Sequence, residues 1–103
     1  MKILEIKHIE DCFDGTYIKE LLFSSLITKD FILSISQNGK LTYFENFERP
    51  FFKIVYRSDF YIKGVEGNQT ARILLHHEHD ITYLKNVIKA YETSNLSNLY
   101  SDT

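Results

Sequence analysis

Between Phe51 and Leu75 the chain repeats one pattern three times: β-branched and aromatic residues alternate with other side chains, and two polar segments divide the runs. Phe52, Ile54 and Tyr56 alternate with Lys53, Val55 and Arg57. Phe60, Ile62 and Gly64 alternate with Tyr61, Lys63 and Val65, and Ala71, Ile73 and Leu75 with Arg72 and Leu74. A period of two sends successive side chains to opposite faces of a strand, so each run predicts a strand with one buried face. Arg57-Ser58-Asp59 and Glu66-Gly67-Asn68-Gln69 carry the residues of hairpin turns. Setting Val65 opposite Thr70 pairs Lys63 with Arg72 and Ile62 with Ile73. The first hairpin needs an odd loop or a bulge to keep its apolar sets in phase. The expected product is an antiparallel meander with one apolar face. Its other face carries Lys53, Arg57, Lys63 and Arg72 among Val55, Tyr61, Val65 and Leu74.

The flanking segments are less decided. Residues 2–10 alternate as a strand, with Ile3 and Ile9 out of phase with the pair Leu4 and Ile6. Over 16–26, Thr16 is placed to cap a helix, Glu20 sits early in it, and Ile18, Leu21, Leu22 and Ser25 fall at helical spacing. Asp14-Gly15 equally suits a hairpin back onto the first strand, but the helix is the preferred expectation. Over 28–45 the preference is reversed. A hairpin turning at Asn38-Gly39 sets Phe31, Leu33, Ile35, Thr42 and Phe44 on one face. The competing helix has Thr28 as N-cap, Asp30 in its first turn and Gly39 beyond its end. Leu41 to Glu45 is a strand on either reading, and Arg49-Pro50 separates it from the meander.

After the meander, Asp80 is expected to cap a helix over 81–92, with Ile81, Leu84, Val87, Ile88 and Tyr91 on one stripe and Lys85, Asn86, Lys89 and Glu92 on the wet side. The pattern therefore predicts an α+β domain over residues 1–92: an antiparallel sheet of four to six strands, covered on its inner face by the 81–92 helix and by a 16–26 helix if one forms. Residues 93–103 are mostly polar and are expected to fray.

A chain of 103 residues with 44% apolar and 25% charged side chains is the balance of an ordinary globular domain. A net charge of −2 and only three Arg argue against a dedicated nucleic-acid binder. Cys12 is alone, so no internal disulfide forms, and the charged start MKILEIKHIEDC is unlike a secretion signal. No run is long enough to span a bilayer as a helix, and a cytoplasmic location is the default expectation.

Three places bear residues capable of chemistry. His76, His77 and His79, with Glu78 and Asp80, offer imidazoles and carboxylates of the kind that hold transition metals. Only His77 and His79 share a face in an extended chain, and the two-His helical pair of metalloproteases is missing, so a solvated strand-to-helix connector is expected, with no metal and no cofactor. Cys12 has no histidine placed beside it by sequence, Ser24-Ser25 lacks the glycines of a nucleophile elbow, and Glu10, Asp11 and Asp14 cluster at a turn. No acid/base or nucleophile constellation forms, which points away from an enzyme.

The outer meander face is the strongest candidate. Lys53, Arg57, Lys63 and Arg72 lie too close to Val55, Tyr61, Val65 and Leu74 for the face to be simply wet. The expectation is a non-enzymatic interaction or self-associating domain, its partner a protein or a second copy, with Glu45, Asp59 and Glu66 supplying acidic rims. The alternative is a metal- or anion-binding accessory protein using the His cluster or the basic face.

Overall fold

The structure is a computed structural model that describes residues 1–57 and 60–101, with side chains described as far as Thr93. In chain order it comprises β1 (Ile3–Asp11), β2 (Tyr17–Phe23), α1 (Lys29–Ile35), β3 (Lys40–Phe44), β4 (Phe51–Tyr56), β5 (Phe60–Val65), β6 (Thr70–Leu75) and α2 (Glu78–Ser101). The strands form one six-stranded sheet in the order β1-β2-β6-β5-β4-β3, every neighbouring pair antiparallel. The class is α+β.

The central meander has the expected register. Lys63 lies opposite Arg72 and Ile62 opposite Ile73. Tyr56 pairs with Phe60 across the expected odd loop, at whose start Arg57 adopts a φ of 53°. The alternation therefore drives Phe52, Ile54, Tyr56, Phe60, Ile62, Ala71, Ile73 and Leu75 into one core. Both helices cover this inner face. From α1, Phe31 packs edge-on against Phe23 (5.4 Å) and Tyr91 (5.2 Å), and Tyr83 of α2 meets Tyr56 at 5.8 Å.

Residues 16–26 do not form a helix. They contain β2, which returns onto β1 and also pairs with β6. Local turn chemistry decides this: the Asp14 carboxylate accepts from both the backbone N–H (3.1 Å) and the hydroxyl (2.6 Å) of Thr16, and Gly15 holds a φ of 89°. Thr16 thus serves the turn instead of capping a helix. The spacing of Ile18, Leu21 and Leu22 misled because an interior strand can carry apolar residues on both faces. Leu21 and Phe23 enter the core, while Ile18 and Leu22 point the other way.

Residues 28–39 reverse the other expectation, since no hairpin forms there. The Thr28 hydroxyl accepts from the Phe31 N–H (3.2 Å) and starts α1, which buries Phe31, Ile32 and Ile35 and leaves Leu33 exposed. Gly39 is needed at the exit because β4 lies against it: a Cβ there would sit 2.8 Å from Ile54 Cγ2 and 3.0 Å from the Val55 carbonyl oxygen. In β3 the phase is also opposite to that of the hairpin reading, with Leu41 and Tyr43 turned to the core and Thr42 and Phe44 away from it.

The phase conflict in the first strand is resolved by irregular pairing between Ile3/Glu5 and His8/Glu10. These breaks let Ile3, Ile6 and Ile9 share partial burial at a spacing of three. At the other end, α2 begins at Glu78, earlier than expected. Asp80 lies within its first turn, and the carboxylate reaches back to accept from the His77 N–H (3.3 Å), one half of a capping box. The expected stripe packs as anticipated through Ile81, Leu84 and Ile88, with Val87 and Tyr91 partly buried. The expectation of a frayed tail over 93–103 falls on residues whose side chains, beyond Thr93, lie outside those described.

Candidate interaction surface

Directly opposed residues of an antiparallel pair share a face, so the registers order the outer side chains into crosswise rows. Glu10, Ile18, Leu74, Tyr61, Val55 and Lys40 form the first row. The second row runs Lys7, Glu20, Arg72, Lys63, Lys53 and Thr42. Glu5, Leu22, Thr70, Val65, Phe51 and Phe44 make up the third. The outer face is therefore two apolar rows with a charged row between them.

Of the eight residues named from sequence, seven lie here: Lys53, Val55, Tyr61, Lys63, Val65, Arg72 and Leu74. The four apolar ones are half-buried and the three cations exposed. Lys53 Nζ stands 4.3 Å from the centre of the Tyr61 ring and Lys63 Nζ 5.9 Å, so one aromatic ring has two like charges beside it. Arg72 Nε lies 3.5 Å from Glu20 Oε2. A shallow dip of about 300 Å³ opens between the second and third rows, with Glu20, Lys63 and Arg72 on one side and Phe51, Val65 and Thr70 on the other.

Arg57 is the exception, because its positive φ turns it toward α2. Its guanidinium lies 4.8 Å from the Tyr83 ring and donates from Nη2 to Asp80 Oδ1 at 3.2 Å. Asp80 is completely buried, so this pair and the His77 N–H satisfy a carboxylate inside the fold. Arg57 is a structural partner of the α2 start and no part of the outer face.

The acidic groups expected at the rims are engaged elsewhere. Glu66 Oε1 accepts from the Tyr43 hydroxyl at 2.5 Å, and that bond to a carboxylate pushes the Tyr43 pKa up to about 12. Glu45 lies 3.7 Å from Lys29, and Asp59 is outside the described residues. The carboxylates that do stand on the outer face are Glu5, Glu10 and Glu20, all toward the β1–β2 side. Sequence reasoning missed them because Glu20 was assigned to a helix and the β1 phase is broken by bulges. Phe51 and Phe44 were missed as well. Phe51 stands in phase with Lys53 and Val55, which was the available signal, and it stacks on Phe44 at 4.3 Å with Phe47 at 4.9 Å.

The imidazoles of His76, His77 and His79 are exposed, and the rings of His77 and His79 stack at 5.0 Å. Among the described residues no group of three or more His, Cys, Asp or Glu side chains is arranged to hold a metal. Cys12 is half-buried in the β1–β2 turn, where its N–H donates to the Thr16 carbonyl. No helix among the described residues is long and apolar enough to cross a membrane. Comparison with protein-family models, curated proteins and solved structures finds no match to this chain.

Proposed function

We propose that this chain is a binding module, not an enzyme, and that it self-associates through the outer face of its sheet. One observation carries the reading: both helices lie on the inner face, leaving two apolar rows bare on the other side. Half-buried Val55, Tyr61, Leu74 and Ile18 on adjacent strands form a patch of the kind that marks interaction sites. The cationic stems of Lys53 and Lys63 lie across this patch with their charges free to reach an opposing carboxylate.

A second copy suits the face better than a foreign partner because the face carries charges of both signs. Glu5, Glu10 and Glu20 outnumber the cation Lys7 on the β1–β2 side, while Lys40, Lys53 and Lys63 occupy the β3–β5 side. A surface divided in this way is complementary to itself, and two-fold homodimers are the commonest soluble oligomers. The half-buried lone cysteine fits a reducing compartment such as the cytoplasm.

Light scattering at micromolar to millimolar concentration should return a mass above the monomer. Leu74→Glu or Tyr61→Glu should lower it to the monomer while the protein stays folded. A parent that remains monomeric throughout this range, or a dimer indifferent to both substitutions, would overturn the proposal.

A further inference from the structure

Two copies facing each other through one sheet face are related by a two-fold axis lying in the plane between them, and the row order tests each choice of axis. An axis running across the strands at the second row sets every strand on its own copy. Lys53 would then meet Lys53, Lys63 meet Lys63, and Glu20 meet Glu20. Moving that axis between rows puts an apolar row on the charged one, which costs desolvation on every match. An axis parallel to the strands keeps each row on itself and reverses the strand order.

Six strands place that axis between β6 and β5, the middle pair, so β2 falls over β4 and β1 over β3. In the first row Ile18 meets Val55, Leu74 meets Tyr61, and Glu10 meets Lys40. In the second, Glu20 meets Lys53. In the third, Leu22 meets Phe51 and Thr70 meets Val65. Apolar side chains fall on apolar ones except for Phe44, which meets Glu5, and both acidic residues of the first two rows fall on lysines.

We infer that the dimer is a two-layer sandwich with its two-fold axis parallel to the strands, between β5 and β6, locked by Glu20 of each copy against Lys53 of the other. The inference rests on self-association through the outer face and adds its geometry. Aligned sheets cross at about 30°, so the match is closest near the axis, and the long Glu10 and Lys40 side chains span the divergence at the edges. Six strands spaced ~4.8 Å apart present roughly 550 Å² in projection, and side-chain relief carries this toward the ~800 Å² per partner of a standard interface. Two matches are unfavourable: Glu5 falls on Phe44 at the sheet edges, and Arg72 falls opposite Lys63 beside the axis, each of them twice. The Arg72–Glu20 ion pair draws the guanidinium toward β2, and Lys63 leans over Tyr61.

The experiment is charge reversal followed by mixing, with sedimentation velocity as readout. Glu20→Lys and Lys53→Glu should each weaken the homodimer at least tenfold, since each places like charges at both copies of the contact. Mixed in equal amounts, the two variants should associate again as a heterodimer. The lysine introduced at position 20 of one variant then meets the glutamate introduced at position 53 of the other, and the second contact keeps its native Lys53 and Glu20. Lys63→Gln should tighten the parent dimer several-fold by removing the like-charged match beside the axis. If Leu74→Glu dissociates the dimer but mixing restores nothing, the outer face is the interface and this axis is wrong. If Lys63→Gln loosens the dimer, Lys63 meets a carboxylate and the axis is again wrong. If Leu74→Glu leaves the dimer intact, the underlying self-association reading fails with it.

Discussion

The two faces of the sheet are built from the same strands with the same period, yet only one is sealed. On the inner face Ile54, Ile62 and Ile73 stand side by side across β4, β5 and β6, fully buried beneath the helices. One residue along each strand, the outer face presents Lys53, Lys63 and Arg72 side by side. A helix laying an apolar underside over that second set would bring no carboxylate of its own to three cations that share only Glu20, at a cost of several kcal/mol. The charged row thus explains why both helices share one side. The rows flanking it carry half-buried Val55, Tyr61 and Leu74 on one side and Val65 and Phe51 on the other. Inside, polar groups are admitted only when satisfied: among the described residues no buried side-chain nitrogen or oxygen lacks a hydrogen-bond partner. Asp80 and Tyr56 are the clearest cases.

The contrast is broken most strongly by truncating one residue on each face of the same strand pair. Ile62→Ala and Ile73→Ala should each destabilise the fold by about 2–4 kcal/mol, because both side chains are fully buried and the cavity cannot collapse between two helices and a sheet. Tyr61→Ala and Leu74→Ala, on the same strands but half-buried on the outer side, should cost less than half as much in chemical denaturation of the monomer. Equal losses on the two faces would mean that the outer face is a second core.

A smaller effect probes how tightly the inner layer is closed. Gly39→Ala puts a methyl 2.8 Å from Ile54 Cγ2 and 3.0 Å from the backbone oxygen of Val55, which cannot move without disturbing the β3–β4 ladder. Overpacking of this kind costs about 1–3 kcal/mol. A denaturation midpoint unchanged from the parent would show that the α1–β3 connection is loose enough to step away from β4.

How much of this was legible in the sequence depends on whether one face or two had to be read. The 51–75 meander was legible down to its register because its strands alternate cleanly and its turn lengths allow only one phase. The α2 stripe from Ile81 to Tyr91 was legible for the equivalent reason at helical period. The failures fall where a segment satisfies two periods at once. Phe31 and Ile35 lie four apart, which is one helical face and also one strand face. The tie rests on whether Ile32 or Leu33 is inside, and only tertiary packing decides that. Ile18, Leu21 and Leu22 mimic a helix because β2 is apolar on both sides. The basic half of the outer face came with the meander, with Arg57 wrongly included because its φ of 53° is invisible to a period-two count. The acidic half was hidden by the two segments whose phase was misjudged.

The smallest expected effect concerns Tyr56, the one tyrosine wholly inside among the described residues. Tyr56 is buried at the end of β4, and its hydroxyl donates to the Ile35 carbonyl at 2.6 Å, fastening the last turn of α1 to the sheet. Tyr56→Phe keeps the ring packed against Phe60 and Tyr83 but leaves that carbonyl without its donor, a loss of about 1 kcal/mol. Tyr61→Phe, on the outer side of the adjacent strand, should change stability by only a few tenths of that. A second signature separates the two by pH. Burial, and after it the neighbouring Tyr83, raises the Tyr56 pKa above its ordinary value of 10.0, so the folded state holds the phenol proton more tightly than the unfolded chain. The resulting stabilisation is complete below pH 10.0 and is lost progressively as pH rises above it. Tyr43 is raised too, by its hydrogen bond to Glu66, and Tyr17 by burial and then its hydrogen bond to Glu78, so the parent should lose stability on the alkaline side. Tyr56→Phe removes one of these three contributions and should make that alkaline slope shallower. Parallel slopes for parent and Tyr56→Phe in denaturation series taken upward from pH 9 would mean that Tyr56 titrates in the open, and that the inner face is not sealed at its α1 end.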